Sequence, residues 1–491
     1  MARFEVPEGW TAQAYRFALD PTPAQVGMLE SHCGAARFAF NHMLAVVKAN
    51  LDQRRAERSY GIAGEDLTAV QGWSLAQLRK TWNTHKNEVA PWWQANSKEA
   101  YNSGLDGLAR ALANWSTSRS GERAGAPVGF PRLKSKHHSA RSVRFTTGAI
   151  RVEADRHHVT LPRMGRIGTH ESTRKLARRL EAGTARILSA TVSWAGGRWQ
   201  CAFQVIGAGK TRPGHARRSA HPLVGVDVGV KDLLVVATPD GVEVDRIRAP
   251  KPLTRAQSRL RAAHRQAARR CGPYDPATKT RREPSKRWQR ATARVRRIHA
   301  KVAAIRANEI HHATTAVATR HEVVAVEQLS VKNLGRRGGR RKRGLNRALG
   351  DAAFGRIRAQ LDYKTTWYVT ELVTAPRFFA STQLCSRCGA KTKLRLRDRI
   401  YRCRTGCPPL CRDLNAAINL ARLGDPTNRA ETGTGTGSRP AASVTAGDGR
   451  GAIPKTSPAT SAVGRAGGDE TSTPHTTHPG AGTATPQGEA A

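Results

Sequence analysis

Acidic residues are scarce: 37 Asp and Glu face 82 Lys and Arg in 491 residues, a formal charge of +45. A compact chain tolerates such an excess best beside a polyanion, which puts nucleic acid first among partner classes. Long apolar stretches are missing as well. No run of about 18 apolar residues occurs, and residues 1–30 lack a charged start, an apolar stretch and a small-residue cleavage site; this argues against membrane insertion or export and points to the cytoplasm. Cysteine is sparse too. Eight residues are too few for a disulfide framework, and five of them fall between Cys385 and Cys411, the distribution of a metal site.

At roughly 150 residues per domain the length allows about three domains. Tyr15–Leu19 alternates like a strand, and Thr22-Pro-Ala-Gln25 then opens a helical pattern through Val26, Leu29, Cys33, Phe38 and Phe40. Helices are expected as far as about Asn114, with Trp73, Trp82, Trp92, Trp93 and Trp115 as core anchors rather than base-stacking residues. Strand patterns follow at Ser142–Phe145, His158–Leu161, Arg186–Ser193 and Trp199–Val205, which together with the first strand suggest a small β-barrel. A different pattern begins with Leu223–Val230 and Leu233–Ala237 and is joined by Val323–Glu327.

Between these strands, Leu253–Val317 reads as long basic helices: Val295, Ile298, Val302 and Ile305 recur at helical spacing, while Arg259, Arg261, Arg265, Arg269 and Arg270 fill other faces. Residues 336–343 pack six cations (Arg336, Arg337, Arg340, Arg341, Lys342, Arg343) around two glycines, which favours a loop. Both stretches are expected to contact nucleic-acid phosphates, the alternative being a merely solvated charged face. From Asp425 to Ala491 the chain is mostly Gly, Thr, Ala, Ser and Pro with no aromatic residue, and a disordered tail is expected.

Three acids stand out against these patterns. Asp227 interrupts a run of Val, Gly and Leu, where an ionised carboxylate is costly unless charge or metal compensates it. Glu327 ends the strand Val323–Val326, and Asp413 precedes the amphipathic Leu414–Leu420. Taken singly, Asp413 reads as a helix cap and Glu327 as a strand-end charge. As a set on three core elements they match what two divalent ions, Mg²⁺ or Mn²⁺, require to hydrolyse a phosphodiester.

Cys385-Ser-Arg-Cys388 is a metal knuckle, and Cys403 and Cys407 supply a second pair after 14 intervening residues. The spacing suits a closed four-thiolate zinc ribbon, with Cys407 preferred as fourth ligand and Cys411 the alternative.

Gly225-Val-Asp-Val-Gly-Val-Lys231, Val326-Glu-Gln-Leu329 with Val331-Lys-Asn-Leu334, the ribbon and Arg412-Asp-Leu-Asn-Ala-Ala417 together resemble the TnpB (OrfB-type) transposon proteins, relatives of type V CRISPR nucleases. Tyr15–Asn41 and Gly129–Ser135 extend the resemblance, which covers about residues 12–424. Two positions depart from the family pattern: the second knuckle is CxxxC, and Cys411 stands where an Asp is common.

The resemblance implies an α/β multidomain protein with a RuvC-like RNase H fold, in which Asp227, Glu327 and Asp413 are the metal-binding catalytic acids. It implies a wedge-like β-barrel over 1–30 and 126–210, a helical recognition domain over 31–125, a nuclease domain over 219–380 and 412–424 with a basic insertion at 253–317, and a ribbon over 381–411. It further implies a guide RNA from the transposon end that pairs with double-stranded target DNA, hence an RNA-guided DNA endonuclease encoded by an insertion sequence. The rival readings are a non-cleaving nucleic-acid-binding regulator on the same fold and an accessory DNA-binding protein of transposition.

Overall fold

The computed structural model describes residues 7–136, 139–208, 219–277, 280–281, 285–335, 339, 342–377, 379–395 and 398–431. Strand β1 (Trp10–Asp20) leads into helix α1 (Pro23–Ser59), whose start was legible: Thr22 and Gln25 form a reciprocal capping box, with Pro23 in the first turn. α1 runs 37 residues without a break, so the boundary expected at residue 30 falls inside a helix. α2 (Leu75–Val89) and α3 (Lys98–Arg119) pack beside it. α1 and α3 cross closely enough that a Cβ on Gly104 would lie 2.1 Å from the Ala36 carbonyl oxygen. Of the five tryptophans expected as anchors, Trp82 is buried and stacks on Tyr101 with ring centroids 5.2 Å apart, Trp73 and Trp93 pack partly buried against the same core, and Trp92 is 46 % exposed.

Next come β2 (Ser142–Phe145), β3 (Arg151–Val152), β4 (His158–Leu161), β5 (Gly165–Thr169), α4 (Arg174–Glu181), β6 (Ala185–Ala195) and β7 (Arg198–Ala208). They join β1 in an antiparallel sheet ordered β2-β6-β7-β1-β5-β4-β3, sharing one core with the helices. No ladder joins the edges β2 and β3 among the described residues.

The second half is built on β8 (Leu223–Val228), β9 (Asp232–Ala237) and β10 (Glu243–Arg248), followed by α5 (Pro252–Arg269), the short pair β11 (Tyr274–Asp275) and β12 (Thr280–Arg281), α6 (Lys286–Arg320) and β13 (Val323–Val326). Then follow α7 (Val331–Leu334), α8 (Lys342–Ala352), α9 (Phe354–Tyr368), β14 (Glu371–Thr374), β15 (Ile400–Tyr401), β16 (Leu410–Cys411), α10 (Arg412–Gly424) and α11 (Pro426–Glu431). The sheet order is β10-β9-β8-β13-β14, with the first three strands antiparallel and β13 and β14 parallel to β8.

Period-two alternation sorts its faces. Val224, Val226, Val324 and Val326 pack against Ile310, Ala313 and Val317 of α6 and Ile357 and Leu361 of α9. On the opposite face Val235 and Ala237 meet Ala417 and Ile418, while Ala325 meets Leu420, all three from α10. A sheet covered on both faces explains why β8, β9 and β13 read as nearly continuous apolar runs.

Some boundaries differ from expectation. α5 and the outer half of α6 form a hairpin on their own small core (Ala256, Leu260, Ala263, Val295, Val302), but from Ile310 onward α6 belongs to the sheet, so the basic insertion is shorter than 253–317. Buried Asp351 ties the hairpin down, accepting hydrogen bonds from the Leu253 and Thr254 amides at 3.0 and 3.2 Å and pairing with Arg306 at 3.0 Å. Lys342 and Arg343 open α8 rather than sitting in a loop, while Arg336, Arg337, Arg340 and Arg341 lie outside the described residues. The expected tail begins with a helical turn, α11; its remainder, 432–491, lies outside the described residues. No helix among the described residues is long and apolar enough to cross a membrane.

Candidate active site and cysteine cluster

Sheet register brings the three acids together. β8 and β13 are parallel neighbours with Val226 opposite Val326, so Asp227 and Glu327 leave adjacent strand ends at one level. Both share parity with Gly225 and Ala325, whose face is covered by α10. The helix lies almost on the strand: a Cβ on Gly225 would fall 2.0 Å from the Ala417 carbonyl oxygen and 2.3 Å from the Ala421 amide nitrogen. Asp413, Ala417 and Ala421 are spaced by four and share a helix face, which directs Asp413 from the first turn of α10 toward the same strand end.

The electrostatics agree. Asp227 is 8 % exposed. Burial, followed by the negative charges of Asp413 and Glu327, raises its carboxyl to about 8 against the pull of Arg412 and Arg246. Burial also raises Glu327, opposed by a 2.9 Å hydrogen bond that the Ser381 hydroxyl donates to it. Arg412 Nε stands 3.5 Å from an Asp413 oxygen. Three carboxylates that converge on one buried strand end form a donor set suited to a hard cation. The oxygens of the three acids do not all lie within 4.8 Å of one another; among the described residues the group whose ligand atoms do is a cysteine cluster.

That cluster is Cys385, Cys388, Cys403 and Cys407. Its Cys388 and Cys403 sulfurs are 3.5 Å apart, near the roughly 3.8 Å that tetrahedral zinc–thiolate bonds of about 2.3 Å impose. The Thr405 hydroxyl lowers both thiols, Cys403 to about 6, favouring the thiolate that binds metal, whereas the hydrogen bond shared with Cys388 pushes Cys407 up to about 12. Of the two alternatives for a fourth thiol, the structure gathers Cys407 with the others. Cys411 instead ends β16, where its sulfur accepts a 3.7 Å hydrogen bond from Arg246.

Sequence reasoning missed the clamp between ribbon and helix. Asn415 accepts from the Ser386 amide at 2.9 Å and donates to the Leu384 carbonyl at 2.7 Å, and Asn419 donates to the Ser381 and Leu384 carbonyls, both at 2.8 Å. Asn at positions i and i+4 inside an apolar helix stripe was the available signal, since buried amides need partners. Arg246, set in the unremarkable Val-Asp-Arg-Ile-Arg alternation of β10, gave none. Arg259, Arg261 and Arg265 are exposed on α5, which carries no acid along its length.

Family models match residues 210–337 (probable transposase), 354–420 (Cas12f1-like, TNB domain) and 11–56 (helix-turn-helix domain). In the last span the chain forms β1 and the uninterrupted α1, with no turn between two helices. A Mycobacterium tuberculosis protein provisionally named an RNA-guided DNA endonuclease is 40 % identical over 437 residues, covering 87 % of this chain and 89 % of its own. Proteins provisionally given the same name from Escherichia coli and Streptomyces pristinaespiralis are 26 % and 27 % identical, each over 84 % of this chain and over 92 % and 89 % of their own. Among solved structures, the Cas12f1–sgRNA–target DNA complex aligns with a TM-score of 0.43 at 10 % identity, over 86 % of this chain and 100 % of that one. With a relative this similar along nearly the whole chain, the protein belongs to the TnpB (OrfB-type) family of transposon-encoded proteins.

Proposed function

We propose that the chain is an RNA-guided, divalent-metal-dependent DNA endonuclease encoded by an insertion sequence. The observation that carries this reading is the convergence of Asp227, Glu327 and Asp413 on one face of a five-stranded sheet, in a chain 40 % identical to a protein named for that activity. The strand order, with acids on two adjacent central strands and on the helix crossing them, supports a RuvC-like RNase H fold. Bound at the three carboxylates, Mg²⁺ or Mn²⁺ would supply the Lewis acidity that phosphodiester hydrolysis requires. The protein's own part is to hold those carboxylates in a buried corner: Asp227 would have to ionise to hold a cation, and Ser381 fixes one oxygen of Glu327.

Base pairing between a guide RNA from the transposon end and the target strand would supply specificity, and the exposed arginines of α5 and α6 the backbone contacts. The β1–β7 sheet is read as the wedge, and α1–α3 as the recognition helices seated on it. Expression with the native downstream DNA, purification through high salt and sequencing of the bound RNA tests this. One discrete RNA ending in sequence from outside the element is expected, together with Mg²⁺-dependent cutting of a matching duplex. Only heterogeneous, salt-removable RNA and an uncut duplex would overturn the reading.

Two further outcomes are expected. Affinity for duplex DNA should fall by about 0.9 log units per contacted phosphate per log unit of salt, and Arg259→Ala, Arg261→Ala and Arg265→Ala should each flatten that slope by about 1. A slope unchanged in the triple variant would show a solvated face instead. Cys385, Cys388, Cys403 and Cys407 are read as ligands of one structural zinc. Cys403→Ser should lower the zinc content, measured by plasma emission, from one per chain toward zero and cut the melting temperature by roughly 5 °C or more.

A further inference from the structure

Cross-strand register places one arginine in line with the acids. Arg246 on β10 pairs with Val235 on β9, which pairs with Asp227 on β8, so the three side chains form a row on the face that α10 covers. The Arg246 charge is felt at Asp227. Its guanidinium is gripped on several sides: Nη1 donates to Asp232 at 2.9 Å, and Nε and Nη2 donate to the two Glu243 oxygens at 2.6 and 2.7 Å. Nη2 also reaches Cys411 Sγ at 3.7 Å, a contact between residues 165 apart in the chain.

Cys411 is the N-cap of α10, two residues before Asp413, and its side chain makes no capping bond to the helix. The first turn of α10 is held by outside contacts: the Arg412 amide on the Arg399 carbonyl at 2.9 Å, the pairing of Cys411 with Ile400, the Asn415 clamp, the Gly225 crossing, and Arg246. A planar fork already fixed by two carboxylates is a rigid post, which lysine, with one rotatable point charge, is not.

We propose that Arg246 is a positioning residue for DNA cleavage: by holding Cys411 it fixes the N-terminal turn of α10, and with it the Asp413 carboxylate, against Asp227. This rests on the reading that Asp227 and Asp413 carry the chemistry, and the test separates the two. Full-length protein with its copurified RNA is compared with Arg246→Met and Arg246→Lys, using hydrogen exchange of the metal-free protein, target affinity, and single-turnover cleavage at saturating target.

In Arg246→Met, exchange over 410–417 should quicken about tenfold while 223–228 stays protected. Cleavage should slow by about 30-fold at unchanged target affinity. Arg246→Lys should resemble Met more than wild type, and adding Cys411→Ala to Arg246→Met should slow cleavage no further, because both remove one link. Unchanged exchange at 410–417, or exchange quickened equally throughout the sheet with affinity lost in parallel, would overturn the proposal. If wild-type protein cuts nothing, the endonuclease reading fails, and the exchange data still decide whether Arg246 anchors the turn.

Discussion

Asp227→Asn is expected to destroy cleavage and strengthen the metal-free fold at once. Loss of one of the three carboxylates proposed to hold the metal should reduce the single-turnover rate by at least about a thousandfold, with guide and target binding intact. The stability effect follows from the raised carboxyl. Asp227 titrates at about 8 in the fold and near 3.9 in an unfolded chain. The fold thus binds the extra proton between those values, so its stability is fully present below about pH 4 and is lost progressively as pH rises to about 8. Asparagine removes that loss. The variant should equal wild type near pH 4, gain on the order of 2 kcal/mol by pH 8 and stay level above it, seen as a melting temperature higher by about 4 °C or more. Millimolar Mg²⁺ should raise the melting temperature of wild type and leave the variant unmoved. Retained cutting, or a variant less stable at pH 8 than wild type, would sink the assignment of Asp227.

Gly225→Val is expected to have the second largest effect. Its side chain would have to occupy the space of the Ala417 carbonyl and the Ala421 amide, which belong to helix backbone and cannot swing aside. α10 must lift from β8 or the strand must bow, at a cost of at least about 3 kcal/mol. That lowers the melting temperature by roughly 6 °C or more. Asp413 moves away with the helix, so cleavage should be lost in the fraction that still folds, while copurified RNA should be retained. Gly225→Ala places its Cβ at the same point and should fall in the same direction. Differential scanning calorimetry with a gel-based cutting assay decides it; a Gly225→Ala protein that melts and cuts like wild type would show that α10 does not bear on the strand there.

What could be read in advance were features fixed by nearest neighbours along the chain. Ser142–Phe145 and His158–Leu161 are strands with the bounds their alternation gave, and the Thr22–Gln25 box marked the start of α1. The three acids stood out because burying a charge is costly wherever it happens. Sites of long-range meeting stayed hidden. Nothing in the order of residues says that Val235 lies between Asp227 and Arg246, or that Ser381 reaches Glu327. The preference for Cys407 over Cys411 was legible in the spacing, but not that Cys411 would meet Arg246 from the far edge of the sheet. The basic insertion was drawn too long because α6 keeps one helical period while its apolar stripe changes partner from α5 to the sheet.

The clamp on α10 ties the cysteine cluster to two of the three acids. Asn415 and Asn419 hold the strand of chain that enters the cysteine cluster, and Ser381, in the same strand, holds Glu327, while Asp413 rides on the helix itself. A chain whose ribbon has come apart therefore loses the footing of two of its three acids, without any change at the acids. Under the proposed reading, protein made without zinc would cut its target only after the cysteine cluster closed.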